Sequence, residues 1–175
     1  LLRREHIDYV FPAHDDVVLA LAERRHEVGA GVVSSPPETC IITRSKLRTY
    51  QVVGDAVPVP RVYDNPESVP EYPVVIKPDI GQGSQGVAIA KSESELRSLV
   101  SRLPGLIITE HLPGEEYTVD CFSDRDRGLL FCRGRQRVRV KAGISMNSRP
   151  VDDESFYHFA QAISQKLVFY GAWFF

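Results

Sequence analysis

Apolar and polar residues along this chain follow two spacings, one typical of helices and one typical of strands. Helical spacing, with apolar residues three or four positions apart, predicts helices over residues 17–28, 45–53 and 153–169. A fourth helix is indicated by Ser92, which forms a capping-box pattern with Glu95. Its apolar side chains recur at helical spacing and are expected to face a core: Leu96, Leu99, Val100 and Leu103.

Capping residues mark the ends of these helices. Asp15 and Asp16 are expected at the N-cap of the first helix, and Gly29 is expected to close it. Gly54 is expected to stop the second helix, and the acidic run at 152–154 is expected to cap the last one.

Runs of β-branched and other apolar residues predict the strands. The clearest run is residues 72–78, and a glycine-rich stretch separates it from a second strand at 87–90. Pro36 and Pro37 are expected to break the chain after an early short strand. Together with the helices, the strands indicate an α/β fold class of the α+β type, with strands at 7–12, 31–35, 72–78, 87–90, 106–110, 117–123 and 129–141.

The segment at residues 57–60 reads Val-Pro-Val-Pro and cannot be helical. It is the best candidate for a connector, so it predicts one lobe over residues 1–56 and another over 57–175. The chain begins without Met and ends on the apolar run at 171–175. We therefore expect a piece of a longer protein, and we expect the unpartnered terminal strand to favour self-association.

The composition narrows the classes of protein that fit. The 175 residues carry 21 Lys and Arg against 23 Asp and Glu, a net charge of -2 that argues against a general nucleic-acid binder. No apolar run approaches the roughly 20 residues of a membrane span. The 3 cysteines include no Cys-x-x-Cys pair, which argues against a structural zinc and favours a reducing, cytoplasmic location.

Cys121 and Cys132 flank a loop that the sequence predicts at residues 124–128. With that loop centred on Asp126, strand alternation places the two thiols on opposite faces of the hairpin. No disulfide is therefore expected between them, and Cys40 is expected to be a third buried thiol.

The glycine-rich stretch at 81–86 has the pattern Gly-x-Gly-x-x-Gly. A dinucleotide-binding fold would need a helix directly after it, and neither a Walker lysine nor a kinase lysine stands at the required position. The flanking runs instead predict a strand–loop–strand flap whose backbone N–H groups can lie over phosphates. A plain flexible hairpin is the alternative.

The positions of two lysines, each considered alone, predict different roles. Lys77 ends the apolar strand before the flap, and we interpret it as a cation directed at a phosphate rather than a lysine that reaches to water. Lys46 begins the second helix, where its charge gains nothing from the helix dipole. Its position alone therefore predicts an ordinary surface residue.

Residues 133–141 place a basic side chain at every second position: Arg133, Arg135, Arg137, Arg139 and Lys141. The two-residue period of a strand puts all five on one face. Such a stripe suits a nucleotide cleft, a nucleic acid, or acidic partners on neighbouring strands, namely Asp120, Glu115 and Glu116. Pairing is expected at the Arg133 end, and a phosphate-facing role is expected for Arg139 or Lys141.

Residues 110–117 combine a strand end, a turn and several carboxylates. Free backbone groups at a strand end suit the edge of an adenine, and a carboxylate one turn later can accept two ribose hydroxyls. An ordinary acidic loop is the alternative. The 5 histidines have no metal-ligand spacing.

Together these segments resemble the ATP-grasp superfamily, in particular its carbamoyl-phosphate-synthase-like and carboxylate–amine ligase members. The matching segments follow the family's order and spacing at 45–50, 58–60, 75–78, 81–87 and 109–119. The resemblance implies a mixed-sheet nucleotide-binding lobe with a glycine-rich flap. Before Lys46 it implies the tail of a Rossmann-like lobe.

The resemblance also implies phosphate-binding roles. Lys46 and Lys77 would hold the α- and β-phosphates of ATP, and Arg139 or Lys141 would reach toward the terminal phosphates. The flap would close over the triphosphate with four small residues: Gly81, Gly83, Ser84 and Gly86.

The adenine and ribose have their own implied residues. Glu110, together with the backbone of His111 and Leu112, would meet the adenine. Glu116 would take the ribose hydroxyls.

The resemblance implies an activity and two cofactors, ATP and Mg²⁺. In such enzymes ATP phosphorylates a carboxylate, and an amine then displaces phosphate from the acyl-phosphate. The family's Mg²⁺ ligands, an acidic residue and a Glu-x-Asn pair, would lie after Phe175, so no metal ligand and no turnover are expected from these residues alone. The alternatives are a non-catalytic nucleotide-binding or interaction module and a polyanion binder that uses the arginine-rich strand.

Overall fold

The computed structural model describes residues 2, 4–102 and 104–175, so Leu103 lies outside the described residues. Within them, no helix is both long and apolar enough to cross a membrane. The helices are α1 (Asp15–Glu23), α2 (Pro37–Arg44), α3 (Lys46–Val53), α4 (Glu93–Val100) and α5 (Glu154–Lys166), with a 3-10 helix at Pro66–Ser68. The strands are β1 (Tyr9–Val10), β2 (Gly31–Val32), β3 (Val62–Tyr63), β4 (Val74–Pro78), β5 (Ala88–Ala90), β6 (Leu106–Glu110), β7 (Tyr117–Asp124), β8 (Gly128–Lys141), β9 (Ile144–Val151) and β10 (Gly171–Phe174).

The chain forms two compact units, each assembled from separate stretches of sequence. The first unit contains Leu1–Arg44, Thr118–Arg135 and Pro150–Phe175, and the second contains Ser45–Tyr117 and Gln136–Arg149. Strand β8 therefore gives its first part to one unit and its remainder to the other. The lobe boundary expected near residue 57 stays a prediction.

The second unit is built on a four-stranded antiparallel sheet in the order β3–β6–β4–β5. Along β4, Val74 and Ile76 point into the core, and each is 1% exposed. Leu96 of α4 is fully buried in the same cluster. By the alternation of the strand, Lys77 points away from this core, which makes its charge available at the site described below.

In the first unit, α5 contacts the first part of β8 through Phe156. The approach to β8 is close, because a Cβ added to Gly134 would lie 2.1 Å from the ring of Phe156. Strand β10 pairs antiparallel with β7, with Trp173 opposite Cys121. The indole N–H of Trp173 also donates to Ser123 Oγ at 2.9 Å. The terminal run is thus a paired strand, and the expectation of an unpartnered strand is wrong.

Helix α1 is shorter than the sequence predicts. It ends at Glu23, five residues before the predicted end at Val28. Beyond it, the guanidinium of Arg25 donates to the carbonyl of Ser35 at 2.7 Å and so holds the chain in a turn. The N-cap is His14, whose Nδ1 accepts from the backbone of Asp16 at 3.3 Å, so the aspartate caps were also wrongly predicted.

The two prolines begin a helix that the sequence does not predict. Pro37 is the first residue of α2, where the missing N–H of proline costs no hydrogen bond. The carbonyl of Pro36 accepts from the N–H of Cys40 at 3.1 Å and closes the first turn. Strand β9 was missed as well. Helix α3, by contrast, has the predicted Ser45 and Gly54 at its ends.

The hairpin between β7 and β8 contradicts the predicted placement of the two cysteines. Gly128 has a φ of +73°, and Asp124 Oδ1 accepts from the N–H groups of Asp126 and Arg127 at 2.9 and 3.1 Å. The thiols of Cys121 and Cys132 are hydrogen-bonded to each other, so both lie on one face of the hairpin. The pairing is therefore shifted by one residue from the predicted centre at Asp126. Both cysteines are buried, and both are free thiols.

Candidate functional site

Asp79, just after β4, anchors the N-terminus of α3. Its Oδ2 accepts from the hydroxyl of Ser45 at 2.7 Å, and its Oδ1 accepts from the N–H of Leu47 at 2.7 Å. The same Ser45 hydroxyl caps the helix by accepting from the N–H of Arg48 at 3.1 Å. The first turn of α3 is thereby fixed to the start of the glycine-rich loop.

Lys46 lies at the base of that loop. Its Nζ donates to the carbonyls of Pro78, Asp79 and Gly81 at 2.9, 3.1 and 3.3 Å. The side chain is half-buried, so the interpretation of Lys46 as an ordinary surface residue is wrong. An ammonium group bound to three carbonyls is a cation held in place at the point where the loop begins.

Lys77 approaches the same helix from β4. Its Nζ donates to the hydroxyl of Tyr50 at 3.0 Å and lies 5.4 Å from the centre of the tyrosine ring. Tyr50 follows Lys46 by four residues, so both lie on one face of α3. The structure therefore brings Lys46 and Lys77 to one helix face. Tyr50 was not recognised as a site residue from the sequence, because its bond to Lys77 joins two segments that are distant in the chain.

The loop at residues 81–87 joins β4 to β5, and Ile76 pairs with Ala88 across it. This arrangement confirms the predicted strand–loop–strand flap. Gly83, Ser84 and Gly86 have φ values of +63°, +55° and +72°. The N–H of Gln85 donates to the carbonyl of Gln82, and that of Val87 donates to the carbonyl of Ser84, each at 3.3 Å, so two turns build the loop.

The turn between β8 and β9 lies against the flap. A Cβ added to Gly143 would be 2.5 Å from the carbonyl carbon of Gly83 and 2.7 Å from the N–H nitrogen of Ser84. Gly143 itself has a φ of +73°, which favours glycine at this position. This contact could not be predicted, because β9 was not recognised as a strand.

Glu110 ends β6 and is bonded to the segment before β3. Its Oε1 accepts from the N–H of Arg61 at 2.8 Å, and its own N–H donates to the carbonyl of Arg61 at 2.9 Å. His111 and Leu112 follow in an open loop, and Leu112 is 64% exposed. In the part of the chain that the structure describes, their backbone groups form no recorded hydrogen bond.

Glu116 is paired with the arginine-rich strand. Arg137 donates to Glu116 Oε1 at 2.6 Å through one guanidinium nitrogen and to the carbonyl of Gly143 at 2.6 Å through another. The guanidinium is largely buried, with 16% of its side chain exposed. Arg137 thus links the Glu116 carboxylate to the turn that contacts the flap.

The other basic side chains of that strand differ in whether they form an ion pair. Arg135 binds Asp120 at 2.6 Å in the first unit, so the acidic pairing expected for this stripe is present, two residues beyond Arg133. Among the described residues, Arg139 and Lys141 have no recorded ion pair or hydrogen bond, and both are exposed. They are the bases of this strand whose charge is available to an anion.

The acidic side chains do not form a metal site in the described ranges. No group of three or more His, Cys, Asp or Glu residues there is placed to hold a metal ion. Asp153 caps α5 as predicted, accepting from the N–H of Ser155 at 2.8 Å. Hydrogen bonds from Ser155 lower the pKa of this carboxyl group.

Residues 43–172 match the ATP-grasp domain family. This match covers most of the chain, and the chain belongs to the ATP-grasp family. The resemblance noted from the short motifs and the mixed α/β fold are both confirmed.

Two D-alanine–D-alanine ligases are similar in sequence. The ligase of Fusobacterium nucleatum subsp. nucleatum is 30% identical over 103 residues, which cover 58% of this chain and 34% of the ligase. The ligase of Petrotoga mobilis is 27% identical over 110 residues, covering 59% of this chain and 37% of that protein. The matched region spans about a third of the length of these curated relatives.

Solved structures share the fold at lower identity. The biotin carboxylase domain of the Hydrogenobacter thermophilus 2-oxoglutarate carboxylase, in complex with MgADP and bicarbonate, has a TM-score of 0.81 at 15% identity. It matches 99% of this chain, which covers 45% of that protein. The VanG D-Ala:D-Ser ligase of Enterococcus faecalis has a TM-score of 0.71 at 18% identity, with 95% and 58% covered.

Proposed function

We propose that this chain forms the ATP-binding part of an ATP-dependent ligase that joins a carboxylate to an amine. The observation that carries the proposal is the pair Lys46 and Lys77, fixed on one face of α3 beside a glycine flap in an ATP-grasp domain. Similarity to D-alanine–D-alanine ligases supports the ligase class. More specifically, we propose a reaction like that of carbamoyl-phosphate synthase.

The phosphates of ATP would bind at the lysines and under the flap. Lys77 would contact one of the α- and β-phosphates with an N–H group that Tyr50 does not use, because a lysine ammonium is a point charge that suits a phosphate oxygen. Lys46 would contact the other by exchanging its 3.3 Å bond to the Gly81 carbonyl for a phosphate oxygen. The backbone N–H groups of residues 81–86 would cover the triphosphate. Arg139 or Lys141 would contact its end, since both are exposed and unpaired among the described residues.

The nucleoside would bind along the end of β6. The open backbone at His111 and Leu112 suits the hydrogen-bonding edge of an adenine, and Glu110, fixed by Arg61, would lie beside it. Glu116 has a second carboxylate oxygen, Oε2, beyond the Oε1 that Arg137 holds. That oxygen would accept a ribose hydroxyl.

The chemistry of the proposed reaction balances without a redox step. A carboxylate oxygen attacks the γ-phosphorus of ATP, the bond to the β-phosphate oxygen breaks, and ADP leaves. An amine then attacks the acyl carbon, phosphate leaves, and the amine loses a proton. Magnesium neutralises phosphate charge in such transfers. We propose that magnesium accompanies the nucleotide here, a proposal supported by the MgADP bound in the structurally similar biotin carboxylase domain.

The arginine stripe gives the polyanion alternative little support. Asp120 and Glu116 already neutralise Arg135 and Arg137. We further propose a reducing, cytoplasmic location, which the 3 free cysteines support. We also propose lobes at 1–56 and 57–175, which the proline-rich segment at 57–60 supports.

Titration calorimetry with ATP tests this function. Lys77→Ala should weaken ATP binding by about 1.5–3 kcal/mol, the cost of one charged hydrogen bond. The melting temperature should change little, because Lys77 points away from the core of its sheet.

Lys91→Ala is the matched control, because Lys91 is an exposed lysine of the same unit beyond the other end of the flap. It should leave ATP affinity unchanged. Equal ATP affinity for the parent chain and Lys77→Ala would refute the phosphate role of Lys77. An absence of ATP binding by the parent would refute the function itself.

A further inference from the structure

Tyr50 connects the two lysines of the proposed phosphate site. It lies one helical turn after Lys46 on α3, and its hydroxyl accepts a hydrogen bond from Lys77 Nζ at 3.0 Å. The ring is half-buried and lies 5.4 Å from the same ammonium group. Tyr50 therefore restrains Lys77 in two ways, through its oxygen and through its ring.

The hydroxyl of Tyr50 can donate one more hydrogen bond. A tyrosine hydroxyl can accept and donate at the same time. Its lone pair takes the bond from Lys77, and no acceptor for its own proton is recorded among the described residues. The lysine ammonium likewise has further N–H groups beyond the one it gives to Tyr50. One charged donor and one neutral donor therefore lie side by side.

We propose that Tyr50 is a phosphate-binding residue of this site. Its hydroxyl donates to the nucleotide phosphate that Lys77 neutralises, and its ring holds the ammonium group in position. This assignment rests on the proposed function and adds to it the residue that orients the β4 lysine.

Tyr50→Phe tests the assignment, because it keeps the ring and removes the hydroxyl. Calorimetry with ATP, with adenosine and with inorganic tripolyphosphate separates the phosphate contribution from the nucleoside contribution. The affinity of Tyr50→Phe for ATP and for tripolyphosphate should fall about tenfold, the effect of one charge-assisted hydrogen bond. Its affinity for adenosine should equal that of the parent, and its melting temperature should be unchanged.

Tyr72→Phe is the matched control. Tyr72 belongs to the same unit and packs against its core cluster, away from both lysines, and its buried hydroxyl has no partner among the described residues. It should bind all three ligands as the parent does. Combining Tyr50→Phe with Lys77→Ala should cost less than the sum of the two separate losses, because both side chains serve one phosphate.

The outcomes separate this inference from the proposed function. If the parent binds ATP and Lys77→Ala weakens it, while Tyr50→Phe binds like the parent, the role of Tyr50 is refuted and the function stands. If Tyr50→Phe loses ATP and adenosine affinity equally, Tyr50 is a structural residue and the inference is also wrong. A parent that binds neither ATP nor tripolyphosphate refutes both.

Discussion

Gly134 of β8 lies directly against the ring of Phe156 of α5. A Cβ there would lie 2.1 and 2.2 Å from two ring carbons of Phe156, well inside van der Waals contact. Overpacking of this kind costs about 1–3 kcal/mol. Gly134→Ala should therefore lower the free energy of unfolding by about that amount. Urea denaturation monitored by circular dichroism measures it.

Gly114→Ala is the control for this substitution, since a Cβ at Gly114 meets nothing within 4 Å. Its stability should stay close to that of the parent. Phe156→Leu in the Gly134→Ala background should recover part of the loss by making room. If Gly134→Ala is as stable as the parent, the packing of α5 on β8 is incorrect.

Because the thiol of Cys121 is buried, the free energy of unfolding is expected to fall as the pH becomes alkaline. Burial raises its pKa, and the neighbouring Cys132 thiol raises it further. The folded chain therefore keeps this proton to a higher pH than the unfolded chain, in which the thiol has its ordinary pKa of 9.0. The stability that the protonated thiol contributes is complete below that pH and is lost as the pH rises above it.

The expected result is a lower urea midpoint at about pH 10 than at about pH 8, with a smaller fall in Cys121→Ala. Lysines also titrate in this range, so the difference between the two chains is the informative quantity. An identical pH dependence for both would contradict a buried, protonated Cys121.

Some residues of the proposed site can be predicted from the sequence and others cannot, depending on whether their partners are close in the chain. Lys77 is recognisable because a charged residue ends an apolar strand beside a glycine loop. Lys46 cannot be recognised as a site residue from its own position, because the three carbonyls that hold its ammonium group are more than thirty residues away in the chain. Tyr50 escapes for the same reason, since its partner lies on β4.

At the scale of elements, the β8–β9 turn supports the flap. Gly143 approaches Gly83 so closely that a Cβ would overlap the backbone at 2.5 Å. Gly143→Ala should push the flap away, increase amide exchange over residues 81–87 and weaken ATP binding. Hydrogen exchange with mass spectrometry, followed by ATP titration, measures both effects.

Gly128→Ala controls for backbone strain in this experiment. Gly128 also has a left-handed φ of +73°, but a Cβ there meets nothing within 4 Å. Both variants should lose stability from strain, whereas exchange in the flap should rise in Gly143→Ala alone. Equal flap exchange in the two variants would rule out a supporting contact.

Helix and strand boundaries were predictable where the signal is local. Gly54 and Ser92 cap α3 and α4 as predicted, and α3 begins at the predicted end with Ser45 as its cap, because a cap bonds to its own first or last turn. The end of α1 depends instead on bonds from Arg25 to a later segment. The face of the β7–β8 hairpin on which each cysteine lies depends on the register set at the turn, and a shift of one residue moves every side chain of a strand to the other face.

At the scale of the whole molecule, the order of short motifs along the chain predicted the family, whereas the division into two compact units was not predicted. Five short motifs in sequence order were enough to predict the ATP-grasp family, which the match over residues 43–172 confirms. The two compact units were not predictable in this way, because each combines distant segments and β8 runs through both. Long-range pairing of this kind leaves no local signal in the sequence.

The central claim is that the two lysines beside the flap bind the phosphates of ATP. An acyl-phosphate derivative of ATP transfers its acyl group from the terminal phosphate to a lysine close by, and mass spectrometry identifies the labelled peptide. We expect labelling at Lys46, Lys77 or Lys141 that excess ATP suppresses, with little label on the exposed Lys91. Label that spreads over surface lysines, or that excess ATP leaves unchanged, would contradict it.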